Sequence, residues 1–158
     1  MPRFDVEIIN PFLTSMSNVL ATMAMLEPVA GSVELKQHES AFGDVSGVIG
    51  LSGDNFKGSL AVTFTKPVIL EIAARMLGEN LTEIDQTVTD LVGEITNMVT
   101  GGAKNLLSQK GYEIGLATPV VISGEKHQVT HQANGQKIVI PFSLDVGDFF
   151  VEVCFEHS

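Results

Sequence analysis

The sequence predicts an α+β fold, an antiparallel β-sheet with helices packed on one face, in a single domain spanning residues 1–158. Three observations lead there. Apolar residues recur at helical spacing in some stretches and alternate with polar ones in others. Glycine-containing turn signals punctuate the alternating stretches. The resulting order is helix, three strands, helix, helix, three strands. The two halves thus share a helix-then-three-strands plan, which predicts a pseudo-twofold domain.

The first helix is expected from Asn10 to Leu26, with Asn10 as its cap and Pro11 at the first helical position. Phe12, Leu13, Met16, Val19, Leu20 and Met23 form its apolar face, and Glu27-Pro28 ends it. VELKQHES, DVSGVIGLSG and FKGSLAVTFT then read as strands of a three-stranded meander, turning at Gly43-Asp44 and Gly53-Asp54-Asn55. A short helix follows from Pro67 to Leu77, closed by Gly78. A long helix runs from Thr87 to Lys110 and stops at Gly111. YEIGLATPVVIS, QKIVIPFSLDV and DFFVEVCFE complete the second set of strands, the last two joined at Val146-Gly147-Asp148.

Composition narrows the function classes. Of 158 residues 44% are apolar, and a chain of this length buries roughly 68–70% of its unfolded surface without a metal or disulfide staple. Nine Lys and Arg against nineteen Asp and Glu give a formal charge of −10, which repels phosphate backbones and anionic lipid. No nucleic-acid or membrane partner is therefore expected. Cys154 is the only cysteine, so neither an internal disulfide nor a cysteine-based zinc site can form. Its place in the alternation Val151, Val153, Phe155 reads as a small buried hydrophobe. No apolar run has the length of a signal peptide or a transmembrane helix, so the expected localisation is cytoplasmic.

The long helix carries the informative residues. At about 100° per residue, Asp90, Glu94, Asn97, Gly101, Lys104 and Ser108 share a narrow arc. Val88, Leu91, Val92, Ile95, Met98, Val99 and Leu106 fall on the opposite side and are expected to pack on the sheet. Such polar ridges are ordinarily solvated surface. This one differs in two ways. It holds an asparagine in mid-helix, where that residue is a poor helix former. It also holds Gly101 beside Gly102, each costing roughly 1 kcal/mol relative to alanine. Gly101 lowers the ridge for the approach of another surface, whereas Gly102 faces inward and is expected to permit close helix–sheet packing.

Asp90-x-x-x-Glu94-x-x-Asn97, with Pro119 downstream, resembles the signature of the CheC/CheX/FliY family of chemotaxis phosphatases. The surrounding D-L-V-G-E-I-T-N-M-V-T-G-G-A-K strengthens the match, and the likeness extends over nearly the whole chain. Within the family the short length and single motif are most similar to CheX. Ser15 occupies the glutamate position ahead of Asn18 in the first helix, so a second site of the CheC kind is not expected. Glu7-x-x-Asn10 has the same spacing, but with Pro11 after it the pair reads as a helix start.

The resemblance implies hydrolysis of the aspartyl phosphate on a CheY-like response regulator. A carboxamide cannot act as a base, but phosphoryl transfer through a loose transition state needs chiefly a water held in line, which Asn97 can orient. Glu94 would pair with a receiver lysine. The Mg2+ would belong to the partner regulator, and no cofactor of this chain's own is implied. Asp90, Gly101 and Lys104 are the candidate partner-binding residues; for Asp90 and Lys104, helix-terminal charge and ordinary surface are equal alternatives. The resemblance also implies a homodimer through sheet edges, with the stretch Ile138 to Phe155 as the expected edge. The alternative function is a non-catalytic docking module for a regulator or a flagellar motor-switch component.

Other chemistry finds little support. His127 and His131 lie four apart in a turn-and-strand region, are expected to face solvent, and on a strand would stand about 13 Å apart, too far for one metal. His38 and His157 have no partner at ligand spacing. Gly43, Gly47, Gly50 and Gly53 match no phosphate-binding loop, and Ser52 lacks a nucleophile elbow because Asp54 stands where the second glycine belongs.

Overall fold

Pro11 does not begin a helix. In the computed structural model, which describes residues 3–36, 42–53, 56–124, 127–129 and 137–157, α1 spans Arg3–Ala24 with Pro11 inside it. An interior proline costs about 3 kcal/mol. Against that, Ile8, Phe12, Met16 and Leu20 repeat every four residues and are fully buried, each stabilising by roughly 1.5–3 kcal/mol. The packing wins, and Asn10 becomes an exposed helical residue instead of a cap.

The other two helices fall where their signals put them. α2 is Lys66–Leu77, with Pro67 in its first turn and Gly78 at φ 70° closing it. α3 is Gln86–Gln109, and the Asp85 carboxylate caps it by accepting from the Val88 amide at 3.1 Å. Gly111, at φ 90°, turns the chain away beyond its end. No helix among the described residues is long and apolar enough to cross a membrane.

Among the described residues eight antiparallel strands form one sheet, but not two local meanders. β3 (Val45–Gly53) and β4 (Phe56–Phe64) form one hairpin; β7 (Lys137–Leu144) and β8 (Gly147–His157) form the other. The leading strand of each half is broken in two and crosses over. β1 (Val29–Ala30) and β2 (Glu34–Lys36) pair with β7, while β5 (Gly115–Leu116) and β6 (Val120–Ser123) pair with β3. The order is β1-β7-β8-β4-β3-β5, with β4 and β8 paired at the centre. This reciprocal exchange is what makes the halves pseudo-symmetric. Alternation identifies a strand and its buried face, but it does not name the partner strand.

One consequence corrects the expected dimer edge. Ile138 to Phe155 lies in β7 and β8, both flanked by strands on either side. Among the described residues the outermost strands are β1–β2 and β5–β6.

All three helices cover one face of the sheet. There Leu60, Val62 and Phe64 of β4 meet Ile138, Ile140 and Phe142 of β7 and Phe149, Val151 and Val153 of β8 in one core. Phe64, Phe149 and Phe142 stack with centroids 5.5 and 4.9 Å apart. Cys154 is fully buried on the opposite face. That face also buries polar groups. The Lys36 ammonium meets the Glu152 carboxylate at 2.8 Å, both side chains wholly enclosed, and Phe42 lies 5.0 Å from the Phe150 ring.

His127, expected in solvent, is buried against this face. Its Nδ1 donates to the Gly124 carbonyl at 2.8 Å, because a carbonyl only accepts. Its Nε2 therefore accepts from Ser46 Oγ at 2.6 Å, and Thr63 Oγ1 donates to Ser46 Oγ at 2.6 Å. The relay ties the segment after β6 to the sheet. His38 and His131 lie outside the described residues, as do Asp54 and Asn55 of the expected turn.

Candidate functional site

α3 is divided lengthwise as the spacing predicts. Val88, Leu91, Val92, Ile95 and Val99 are buried, along with Ala103 and Leu107. Met98 and Leu106 are half-buried, lining the groove toward α1. Asp90, Glu94, Asn97, Gly101, Lys104 and Ser108 are all exposed. Glu94 and Asn97 stand one turn apart, with Cβ atoms about 5–6 Å from one another by helix geometry. The pair therefore projects from a convex surface.

Buried groups beneath the ridge hold this stretch of helix in place. A side chain at Gly47 of β3 would collide with Thr96 Oγ1, so the glycine lets α3 press directly onto the strand. Thr96 Oγ1 donates to the Val92 carbonyl at 2.8 Å. Thr100 Oγ1 shares its proton between the Thr96 carbonyl at 2.8 Å and the Asn97 carbonyl at 3.2 Å. From α1, Ser15 Oγ donates to the Val99 carbonyl at 2.7 Å. The backbone on either side of Asn97 is thus tied down by hydroxyls that the sequence reading passed over. Their only signal was a pair of threonines four apart on the apolar side of a helix.

The two glycines divide their roles differently from the expectation. Around Gly101 nothing lies within 4 Å of a would-be side chain, so it is an open gap in the ridge. Gly102 does face inward, but toward α1 and not the sheet: a Cβ there would strike Ser15 Oγ. Asp90 already accepts from Gln86 Nε2 at 2.7 Å within its own helix. Lys104 makes no ion pair among the described residues.

Ser15, expected at the glutamate position of the first helix, is buried. It is 2% exposed between α1 and α3, where a glutamate could not be presented to a partner.

A cavity of about 730 Å3 lies elsewhere, between β3, β4 and β5–β6 and lined by Val48, Gly50, Leu116 and Ile122 among others. Glu94 and Asn97 do not line it. A polar pair on an exposed ridge is suited to contact with another macromolecule, whereas a small molecule needs a concave pocket. No cluster of three or more His, Cys, Asp or Glu able to hold a metal occurs among the described residues.

The family model for the chemotaxis phosphatase CheX matches residues 45–143, from the start of β3 to the last residue but one of β7, and includes the whole of α3. This chain belongs to the CheX family. A CheC-like superfamily protein from Shewanella sp. PV-4 is 57% identical, covering 96% of this chain and 98% of that one, with a TM-score of 0.90. The CheX of the Borrelia burgdorferi CheX–CheY–BeF3–Mg2+ complex is 26% identical, with a TM-score of 0.79 over 94% of this chain and 97% of that one. The CheY-P phosphatase CheX of Thermotoga maritima is 24% identical over 141 residues, 89% of each protein. The CheX family assignment and the α+β fold agree, and the long helix of that fold carries the exposed Glu94 and Asn97.

Proposed function

We propose that this chain is a cytoplasmic phosphatase that hydrolyses the aspartyl phosphate of a CheY-like response regulator, its residues 1–158 working as one CheX-like domain. The observation that carries the reading is the joint exposure of Glu94 and Asn97, one turn apart on a ridge braced from below. Membership of the CheX family, a Thermotoga relative named as a CheY-P phosphatase and a Borrelia relative in complex with CheY support it.

The receiver supplies the phosphoryl group and, with it, the Mg2+ that neutralises its oxygens. Asn97 contributes its amide, holding a water in line with the phosphorus; the loose transition state asks for position more than for a base. Glu94 forms a charge-assisted bond with a receiver lysine and fixes the helix over the phosphate. Gly101 leaves room for the receiver surface. Lys104 adds a contact at the same ridge, and Asp90, occupied by Gln86, contributes little.

A homodimer is part of the proposal. Val29, Val33 and Leu35 are 68%, 54% and 57% exposed along the β1–β2 segment, an apolar edge that a second copy can cover by strand addition.

Binding of a beryllofluoride-activated CheY-like receiver separates the roles of the pair. Glu94→Ala should weaken binding roughly tenfold, the value of one charge-assisted contact, while Asn97→Ala should leave it nearly unchanged. Tight binding without any acceleration of dephosphorylation would make the chain a docking module.

A further inference from the structure

The sheet face away from the helices holds a hollow that the phosphatase reading leaves unused. Gly47 faces Thr96 of α3, so by strand alternation Val48, Gly50 and Ser52 of β3 point to the other side. Ser59 and Lys57 of β4 stand beside Gly50 and Ser52 in the ladder, and Val120 of β6 stands beside Val48. Two features open the space between them. Gly50 has no side chain, and a Cβ there would meet only Ala117, at 3.6 Å. The outer strand is also interrupted. β5 reaches Leu51 and Ser52, β6 reaches Val45 to Val48, and between them the Ala117 amide donates to the Gly50 carbonyl at 3.0 Å. The result is the cavity of about 730 Å3, a size within the roughly 300–1,000 Å3 of small-molecule pockets.

The two ends of the cavity differ. Val48, Val120 and Ile122 make one end apolar, and Val120 is 59% exposed there. Ser52 and Lys57 make the other end polar, four residues along β3 from Val48 and so about 13 Å away. Lys57 is the only charged residue lining the cavity among the described residues, and it forms no ion pair with a described carboxylate. Glu156, opposite Lys57 on β8, does not line the cavity. We propose that this hollow binds a single-chain anionic amphiphile, a fatty carboxylate, with its chain along the apolar end and its head on Lys57. Burial of the chain supplies the affinity, and the ammonium selects the charge of the head. A second copy adding a strand at β5–β6 would pair the backbone of that edge without filling a hollow floored by Gly50. The site is separate from Glu94 and Asn97, whose helix covers the opposite face of the sheet.

The test is calorimetric titration of the full chain with decanoate, decanol and decyltrimethylammonium, each kept below micelle formation. Decanoate should saturate and bind at least roughly tenfold more tightly than the ammonium. Lys57→Met should weaken decanoate about tenfold and leave decanol unchanged. Gly50→Leu, whose side chain enters the hollow, should abolish binding of all three while melting as cooperatively as the wild type. Lys57→Met, a change at an exposed position, keeps the test decisive if the leucine variant unfolds early. A wild type that takes up no decanoate overturns the proposal, as does binding that both variants leave unchanged. Equal binding of decanoate and the ammonium, which removes the role of Lys57, also overturns it. A dimer in sedimentation equilibrium that Gly50→Leu converts to a monomer assigns the hollow to a second copy and overturns the amphiphile.

Discussion

Gly101 and Gly102 are neighbours with opposite duties, and alanine at each tests this directly. At Gly101 the new methyl meets nothing, so Gly101→Ala should raise stability by about 0.5–1 kcal/mol through helix propensity alone. On the proposed docking over Gly101 it should also slow dephosphorylation, the methyl then standing in the receiver's path. At Gly102 the methyl strikes Ser15, whose hydroxyl is committed to Val99, so Gly102→Ala should cost about 1–2 kcal/mol. Thermal unfolding separates the two, at roughly 2–4 °C per kcal/mol for a chain of this size. A second residue-scale prediction concerns Lys36. Replacing it with methionine removes the cation from a wholly enclosed pair and leaves the Glu152 carboxylate without it. The cost should be about 3–5 kcal/mol in urea unfolding, far more than an exposed pair such as Lys66–Glu83 would show.

At the scale of elements, α2 and α3 were legible because their ends carry local chemistry: Pro67 and Gly78 for one, Gly111 for the other. The exposed arc of α3 was equally legible, because helical period alone sorts Glu94 and Asn97 from Ile95 and Val99. The start of α1 was misread because Pro11 is a strong local signal. A row of buried side chains overrides it, and those burials are decided by tertiary contact. The same limit explains the strand exchange. Short strands such as β2 and β6 announce themselves by alternation, but their pairing with β7 and β3 depends on a crossover no local pattern encodes. It also explains the silence about Thr96, Thr100 and Ser15, whose hydroxyls matter only once α1, α3 and β3 are brought together. The exchange leaves two outer segments, and the apolar one gives a prediction at this scale. Leu35→Glu on β2 should convert a dimer to a monomer in sedimentation equilibrium without altering the fold. A variant still dimeric would move the interface to β5–β6.

The whole molecule presents its chemistry outward. A net charge of −10 disfavours polyanionic partners, and Glu94 and Asn97 sit on an exposed helix ridge and not in the 730 Å3 cavity between β3, β4 and β5–β6. Together these features fit the proposed substrate, a phosphoryl group displayed on another folded protein. The sheet and three helices brace the stretch of α3 that exposes Glu94 and Asn97. The most direct measurement is the decay of a phosphorylated CheY-like receiver in Mg2+ buffer, alone and with the wild-type, Glu94→Ala and Asn97→Ala chains. Acceleration by the wild type is expected, with a loss of at least about tenfold for each variant, Asn97→Ala by leaving the water unplaced and Glu94→Ala by removing the bond to the receiver lysine. Acceleration that survives Asn97→Ala at full strength would contradict the water-positioning role.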